Sequence, residues 1–305
     1  MTDTATSSVS SRAGLHALLL RADPKYLITF LITLVLVVGE YRYAILGGYD
    51  RLLAALLTCT STELALSRLL RGKVANLQSA YITGISLSLL LKPQAGLLWP
   101  FVLGGSLAIG SKYVLQYRNQ HLWNPSNFAI GLLLLAAPDR VAVLSHQWGN
   151  DLATNAVIWV FGLLIASRVR VLHVTLTYVG CFLLLAALRS WIQGTLLLPE
   201  IAPITGPMYQ LFIFFMITDP RTTVGTRRGR MLVVALVAVA EAAVRVAADH
   251  HLDLPRAFYA SPPILALAVV GPVAKWLDLR RATASASSGS ATRPAGTGVG
   301  LTPPI

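Results

Sequence analysis

Met231–Ala248 reads MLVVALVAVAEAAVRVAA, a stretch in which Glu241 and Arg245 are the only charged residues. A helix rises 1.5 Å per residue, and about 20 mainly apolar residues cross the roughly 30 Å of bilayer hydrocarbon. This stretch is therefore a membrane-span candidate, and it has company on both sides. Working outward, similar stretches centre on Tyr26–Leu46, Leu52–Leu70, Leu77–Leu91, Leu97–Leu115, Asn127–Ala137, Leu152–Ala166, Leu172–Ile192, Ile204–Thr218 and Phe258–Leu277. The expected fold class is all-α: a polytopic membrane bundle of about ten transmembrane helices, with both termini on one side.

The composition agrees. Of 305 residues, 55% are apolar and only 12% charged, against roughly 25% charged in soluble proteins. That deficit excludes an ordinary water-soluble enzyme. The cysteines are Cys59 and Cys181 alone, too few for a disulfide framework or for a four-cysteine zinc or iron–sulfur site. Residues 1–24 form an expected cytoplasmic amino-terminal segment. Its apolar run Leu15–Leu20 is too short for a cleaved signal peptide, so the segment is expected to be retained. The bundle then occupies 25–278. The tail 279–305, rich in Ser, Ala and Gly, has too few large apolar residues to offset its ordering entropy, so a disordered cytoplasmic tail is expected.

The formal charge of +12 would suggest a nucleic-acid partner in a soluble chain. Its distribution says otherwise. With the amino terminus in the cytoplasm, all but seven of the 25 lysines and arginines fall on the cytoplasmic side. The seven are Arg42, Arg51, Lys92, Arg140, Arg189, Arg245 and Arg256. This is the positive-inside pattern, so membrane lipid is the expected partner and nucleic acid is not.

Two interruptions point to chemistry. Asn127–Ala137 is too short to cross the bilayer and follows His121-Leu-Trp-Asn-Pro-Ser-Asn127, in which Asn124 reads as an N-cap and Pro125 as the first helical residue. The second, Phe215-Met-Ile-Thr-Asp-Pro-Arg-Thr222, has Asp219 as cap candidate and Pro220 as first helical residue, with hydroxyls at Thr218 and Thr222. Both fall on the cytoplasmic side. Helix starts present free N–H groups and a positive dipole, and broken spans mark binding sites in membrane bundles. Together they would cradle an anionic or carbonyl-bearing group. On the bland side, the first is a capped re-entry anchored by Trp123, and Arg227, Arg228 and Arg230 contact lipid headgroups at about 1 kcal/mol each.

Ionisable residues within spans mark function by default. Glu63 lies in a polar run with Thr58, Thr60, Ser61, Thr62 and Ser67 that is expected to line the interior. Glu241 and Arg245 are four apart on one helix face and expected to pair; with Glu63 they are ion-path candidates. Lys112, Tyr113 and Tyr117 read as snorkelling to the interface. No catalytic residue is identified, and the isolated or adjacent histidines offer no metal site.

The segments SKYVLQYRNQHLWNPSNFAIG (Ser111–Gly131) and FMITDPRT (Phe215–Thr222) give the chain, over about Tyr26–Leu277, a resemblance to the RnfD/NqrB family. These are membrane subunits of ion-coupled electron-transport complexes that hold flavins. The likeness is strongest to short stand-alone relatives, among them membrane proteins of enediyne antibiotic biosynthesis. The resemblance implies an electron-transport component of the bacterial inner membrane, with other redox-complex subunits as partners. It also implies FMN or riboflavin bound non-covalently near Asn124, Asn127, Thr218, Asp219 and Arg221; a quinone is the related ligand. The family's covalent flavin sits on the threonine of a Ser-Gly-Ala-Thr motif. Here the corresponding loop is Trp148-Gly-Asn-Asp-Leu-Ala-Thr-Asn155, which keeps only Ala153-Thr154 and lacks the glycine, so covalent attachment at Thr154 is not expected. The competing classes are a transporter or exporter that uses Glu63 and the Glu241/Arg245 pair, and a cofactor-free scaffold for redox partners.

Overall fold

The computed structural model describes residues 24–74, 76–143 and 152–290. The chain is mostly helical. It runs α1 (Pro24–Tyr43), α2 (Tyr49–Arg71), α3 (Gln78–Leu90), β1 (Leu91–Pro93), α4 (Trp99–Val114), β2 (Gln116–Tyr117), β3 (Gln120–His121), α5 (Pro125–Ala136) and β4 (Val141–Val143). Then come α6 (Leu152–Arg168), α7 (Leu172–Gln193), α8 (Leu197–Ile201), a 3-10 turn (Ala202–Thr205), α9 (Pro207–Leu211) and a π-helical turn (Phe212–Met216). The chain closes with α10 (Arg227–Asp249), α11 (Arg256–Ala260) and α12 (Pro262–Ser290).

Among the described residues, five helices are long and apolar enough to cross a membrane: Tyr26–Tyr43, Tyr49–Arg71, Leu172–Gln193, Arg227–Asp249 and Pro262–Thr283. The other expected stretches also fall on helix, but on shorter pieces. Helices α3, α4, α5 and α6 have 13, 16, 12 and 17 residues. The stretch expected at Ile204–Thr218 is divided between α9 and the π-turn.

The apolar residues that fill the core are matched by others facing outward. Exposed apolar pairs stand four apart on single helices: Leu53 and Leu57, Leu184 and Leu188, Leu232 and Leu236, Val269 and Val273. Glu63, Lys112, Asn127, Gln210 and Glu241 are buried. Apolar stripes outside and polar groups inside are what a hydrocarbon solvent favours.

Helix α2 packs on α3 and α4, α10 on α7 and α12, and α5 joins the two groups through α4 and α12. Small residues permit the tightest approaches. A methyl group at Gly84 would stand 2.9 Å from Leu56, and one at Gly105 3.1 Å from Thr58. Two short antiparallel ladders, not anticipated from sequence, tie the connections. Strand β1 pairs with β4, and β2 with β3. The β2–β3 hairpin turns on Arg118 and Asn119, both at positive φ (55° and 59°), as a two-residue type I′ turn requires.

Helix α12 runs to Ser290, past the start of the 279–305 segment; residues 291–305 lie outside the description. Two expectations are corrected. Asp219-Pro220 opens a turn, with Thr222 N–H reaching the Asp219 carbonyl at 3.3 Å; the next helix starts at Arg227 under the Thr226 cap. The polar run around Glu63 does not all face inward. Thr60 and Ser61 bond back to carbonyls of their own helix, those of Leu56 (2.7 Å) and Thr58 (3.2 Å), which satisfies hydroxyls that point away from the core.

Candidate functional site

Helix α5 begins as its sequence predicts. The Asn124 side chain accepts from the Asn127 N–H at 3.1 Å, and Pro125 occupies the first turn. Its position was less legible. Trp123 Nε1 donates to the Ala268 carbonyl at 2.9 Å, and Asn127 Nδ2 to the Ile264 carbonyl at 2.9 Å. Further along α12, Lys275 donates to the Thr223 carbonyl at 2.8 Å. From Lys275 back to Ala268 is seven residues, roughly 10 Å of helix rise, so the start of α5 lies about that far along α12 from the Thr223 contact. Trp123, half-buried, is tied to α12 through its indole N–H. Pro272, within α12, has no N–H to give the carbonyl four residues back. That carbonyl belongs to Ala268, and the indole supplies the missing donor.

The second interruption meets the first here. Asn124 Nδ2 donates to Asp219 Oδ2 at 3.3 Å, across 95 residues of sequence. The same Asp219 oxygen accepts from the Thr222 hydroxyl at 3.1 Å, and Oδ1 accepts from the Arg221 N–H at 3.1 Å. The Thr218 hydroxyl is turned back to the Phe214 carbonyl at 2.7 Å. Asn124, Asn127, Thr218 and Asp219 therefore come together, with Arg221 exposed at the edge.

His121, which sequence reading assigned no role, ends β3 three residues before Asn124. Its Nδ1 is buried and has no hydrogen-bond partner among the described residues. Burial holds its pKa below the usual histidine value; Asp219 opposes that shift, while Arg221, Lys112 and Arg71 reinforce it. Of these groups the Asn124 amide and the Asp219 carboxylate meet directly, whereas the Asn127 amide and the Thr218 hydroxyl are taken up by the Ile264 and Phe214 carbonyls.

Two further networks lie inside the bundle. Glu63 Oε2 accepts from Lys112 at 3.2 Å, and Oε1 from the Tyr113 hydroxyl at 2.7 Å. Lys112 also reaches the Ser79 hydroxyl at 3.0 Å, and the Arg71 guanidinium stacks over the Tyr113 ring at 4.6 Å. Lys112 and Tyr113 do not snorkel, then; they are consumed by Glu63, on a helix distant in sequence. Tyr117 instead lies in β2, under the Arg118 guanidinium.

On the other network, the expected Glu241–Arg245 pair forms at 3.0 Å. Glu241 also accepts from the Tyr178 hydroxyl at 2.5 Å and from the Tyr209 hydroxyl, which Arg245 contacts in turn. Each of these partners donates to the Glu241 carboxyl oxygens. Beside it lies a cavity of about 20 Å³ bounded by Phe182, Arg189, Glu200 and Arg245, room for one water. Arg189 bridges Glu200 and Asp249 there.

No group of three or more histidine, cysteine, aspartate or glutamate residues that could hold a metal occurs among the described residues. Residues 144–151 and the Thr154 side chain lie outside the description, so the loop expected to match the family's flavin motif falls there. Comparison with protein-family models and with curated proteins found no match.

Proposed function

We propose that this chain is a ten-span electron-transfer subunit of the bacterial inner membrane, similar to RnfD/NqrB proteins, with a non-covalent flavin or quinone site where α5 meets the Thr218–Asp219 turn. The observation that carries the reading is the Asn124–Asp219 contact. Two proline-broken segments far apart in sequence are brought together at the start of a half-length helix whose dipole is positive there. Such a ring system, when bound, supplies reversible electron transfer. The chain's own part is to orient it: Asn124 as amide donor, Asp219 as acceptor and Arg221 as a positive charge at the edge, while Asn127 and Thr218, bonded to the Ile264 and Phe214 carbonyls, hold the two segments in place. Other redox subunits would exchange electrons with it, and a biosynthetic pathway is one setting for that exchange.

The ten-span arrangement is supported by which connections touch. Among those expected outside, Lys92 bonds the Ile45 carbonyl, β1 pairs with β4, Arg256 pairs with Asp139, and Gln193 with Asp249. Among those expected inside, Asn124 meets Asp219 and the Gly225 N–H meets Asp278. Alternating spans require this segregation. Thiol labelling of Asp139→Cys from outside the cell and of Gly225→Cys only after permeabilisation is the expected pattern; labelling of Gly225→Cys from outside overturns the topology.

The function is tested on purified protein. A flavin absorbance band, or flavin uptake on addition, is expected, with occupancy reduced in Asn124→Ala and Asp219→Asn. Absence of both, together with no quinone binding, removes the redox reading. A transporter is the second reading, favoured by the buried Glu63 and Glu241 networks. Proton-coupled uptake that collapses in Glu63→Gln selects it. Co-purification of redox enzymes with no chromophore selects a scaffold.

A further inference from the structure

The turn that leads into Asp219 is π-helical. The Ile217 N–H bonds the Phe212 carbonyl at 3.1 Å. Such a turn carries one residue more than α geometry, and one residue corresponds to about 100° of rotation and 1.5 Å of rise. Asp219 lies three residues beyond it. In plain α register the Asp219 carboxylate would be swung away from Asn124.

Two aromatic seats hold the turn from opposite sides. Phe212 meets Tyr178 of α7 edge to face at 5.3 Å, and Phe214 meets Trp159 of α6 the same way at 5.2 Å. The second seat depends on a glycine. A methyl group at Gly162 would stand 2.5 Å from the Phe214 ring, closer than packed carbon atoms come. The ring occupies the space that any side chain there would need, and Trp159 stands on it edge-on. At Gly180, by contrast, a methyl group would meet nothing within 4 Å.

We propose that Gly162 and Phe214 are positioning residues: the ring seated on the glycine sets the π-register that delivers Asp219 to Asn124. The meaning of this for ligand binding rests on the function proposed above, whereas the register does not. Gly162 and the Phe214 ring act through the turn, whose Phe214 carbonyl also accepts from the Thr218 hydroxyl at 2.7 Å.

The test is a cross-link that needs no ligand. In a chain carrying Cys59→Ser and Cys181→Ser, the pair Asn124→Cys and Asp219→Cys is treated in membranes with a short bis-methanethiosulfonate, which forms a disulfide at each end with loss of methanesulfinate, and should be joined efficiently. Adding Gly162→Ala should lower the rate about tenfold, the factor that about 1.4 kcal/mol of overpacking produces. Gly180→Ala should leave it unchanged, and Phe214→Ala, which removes the ring that the glycine seats, should slow it by itself and add little in the Gly162→Ala background. Equal rates for Gly162→Ala and Gly180→Ala overturn the proposal, as does a parent pair that is not joined. Should Gly162→Ala fail to accumulate, Phe214→Leu, which empties the seat without crowding it, must slow the reaction or the proposal fails. Flavin uptake is measured in the same chains. Loss of cross-linking in a protein whose parent takes up no flavin leaves the register standing and removes the flavin.

Discussion

Replacing Trp123 by Phe removes one hydrogen bond and keeps an aromatic ring against Phe128, which it meets edge to face at 5.9 Å. The Ala268 carbonyl then has no donor, because the residue four positions on is Pro272. Leaving a buried carbonyl unsatisfied costs about 1–3 kcal/mol. For a domain of this size that lowers the melting temperature by roughly 2–4 °C per kcal/mol, or up to about 12 °C at the top of the range. The same substitution in a Pro272→Ala background should cost much less, since an alanine at that position would bring its own N–H to the Ala268 carbonyl. The assay is thermal unfolding in detergent for the parent, both single variants and the double. A coupling of about 1 kcal/mol or more between positions 149 residues apart is expected. If Trp123→Phe costs the same in both backgrounds, the indole is not serving the proline-freed carbonyl, and the place assigned to α5 along α12 loses a main support.

Other outcomes follow from the buried charges. Glu63→Gln leaves the Lys112 ammonium inside the bundle with Ser79 as its remaining partner, and breaking a buried pair this way costs about 3–5 kcal/mol; Lys112→Met added to it should recover most of the loss in the same melts. Tyr178→Phe removes a charge-assisted donor from Glu241 and should cost about 1.5–3 kcal/mol, read as a lower denaturation midpoint. Burial, reinforced by Arg51 and opposed by Glu40, pushes the Lys92 ammonium down from 10.5 to about 8. Between those values the unfolded chain holds more protons, so stability is lowest below about pH 8 and rises as pH climbs toward 10.5; Lys92→Met should flatten that rise in detergent melts.

Much of the membrane character was legible because periodicity and charge placement are local properties. The Asn124 cap and the Glu241–Arg245 pair were equally readable, since both depend on residues three or four apart. Pro272 was legible in principle: a proline inside an apolar run announces a carbonyl in need of a donor, although which donor answers is a tertiary matter. The partners of Glu63 were hidden for that reason, with Lys112 49 residues away. Asp219-Pro220 misled because capped helix starts and Asx turns use the same residue types. The π-turn leaves no composition cue; FIFFM reads as an ordinary apolar stretch, and its register is set by Gly162 on another helix.

Helix α3 has every residue from Thr83 to Leu90 buried, encircled by α1, α2, α4 and α5. With 13 residues, it is too short to cross the hydrocarbon by itself. Its place in the membrane therefore depends on the four helices around it, so a change that loosens any of them exposes a segment that has no stable seat alone.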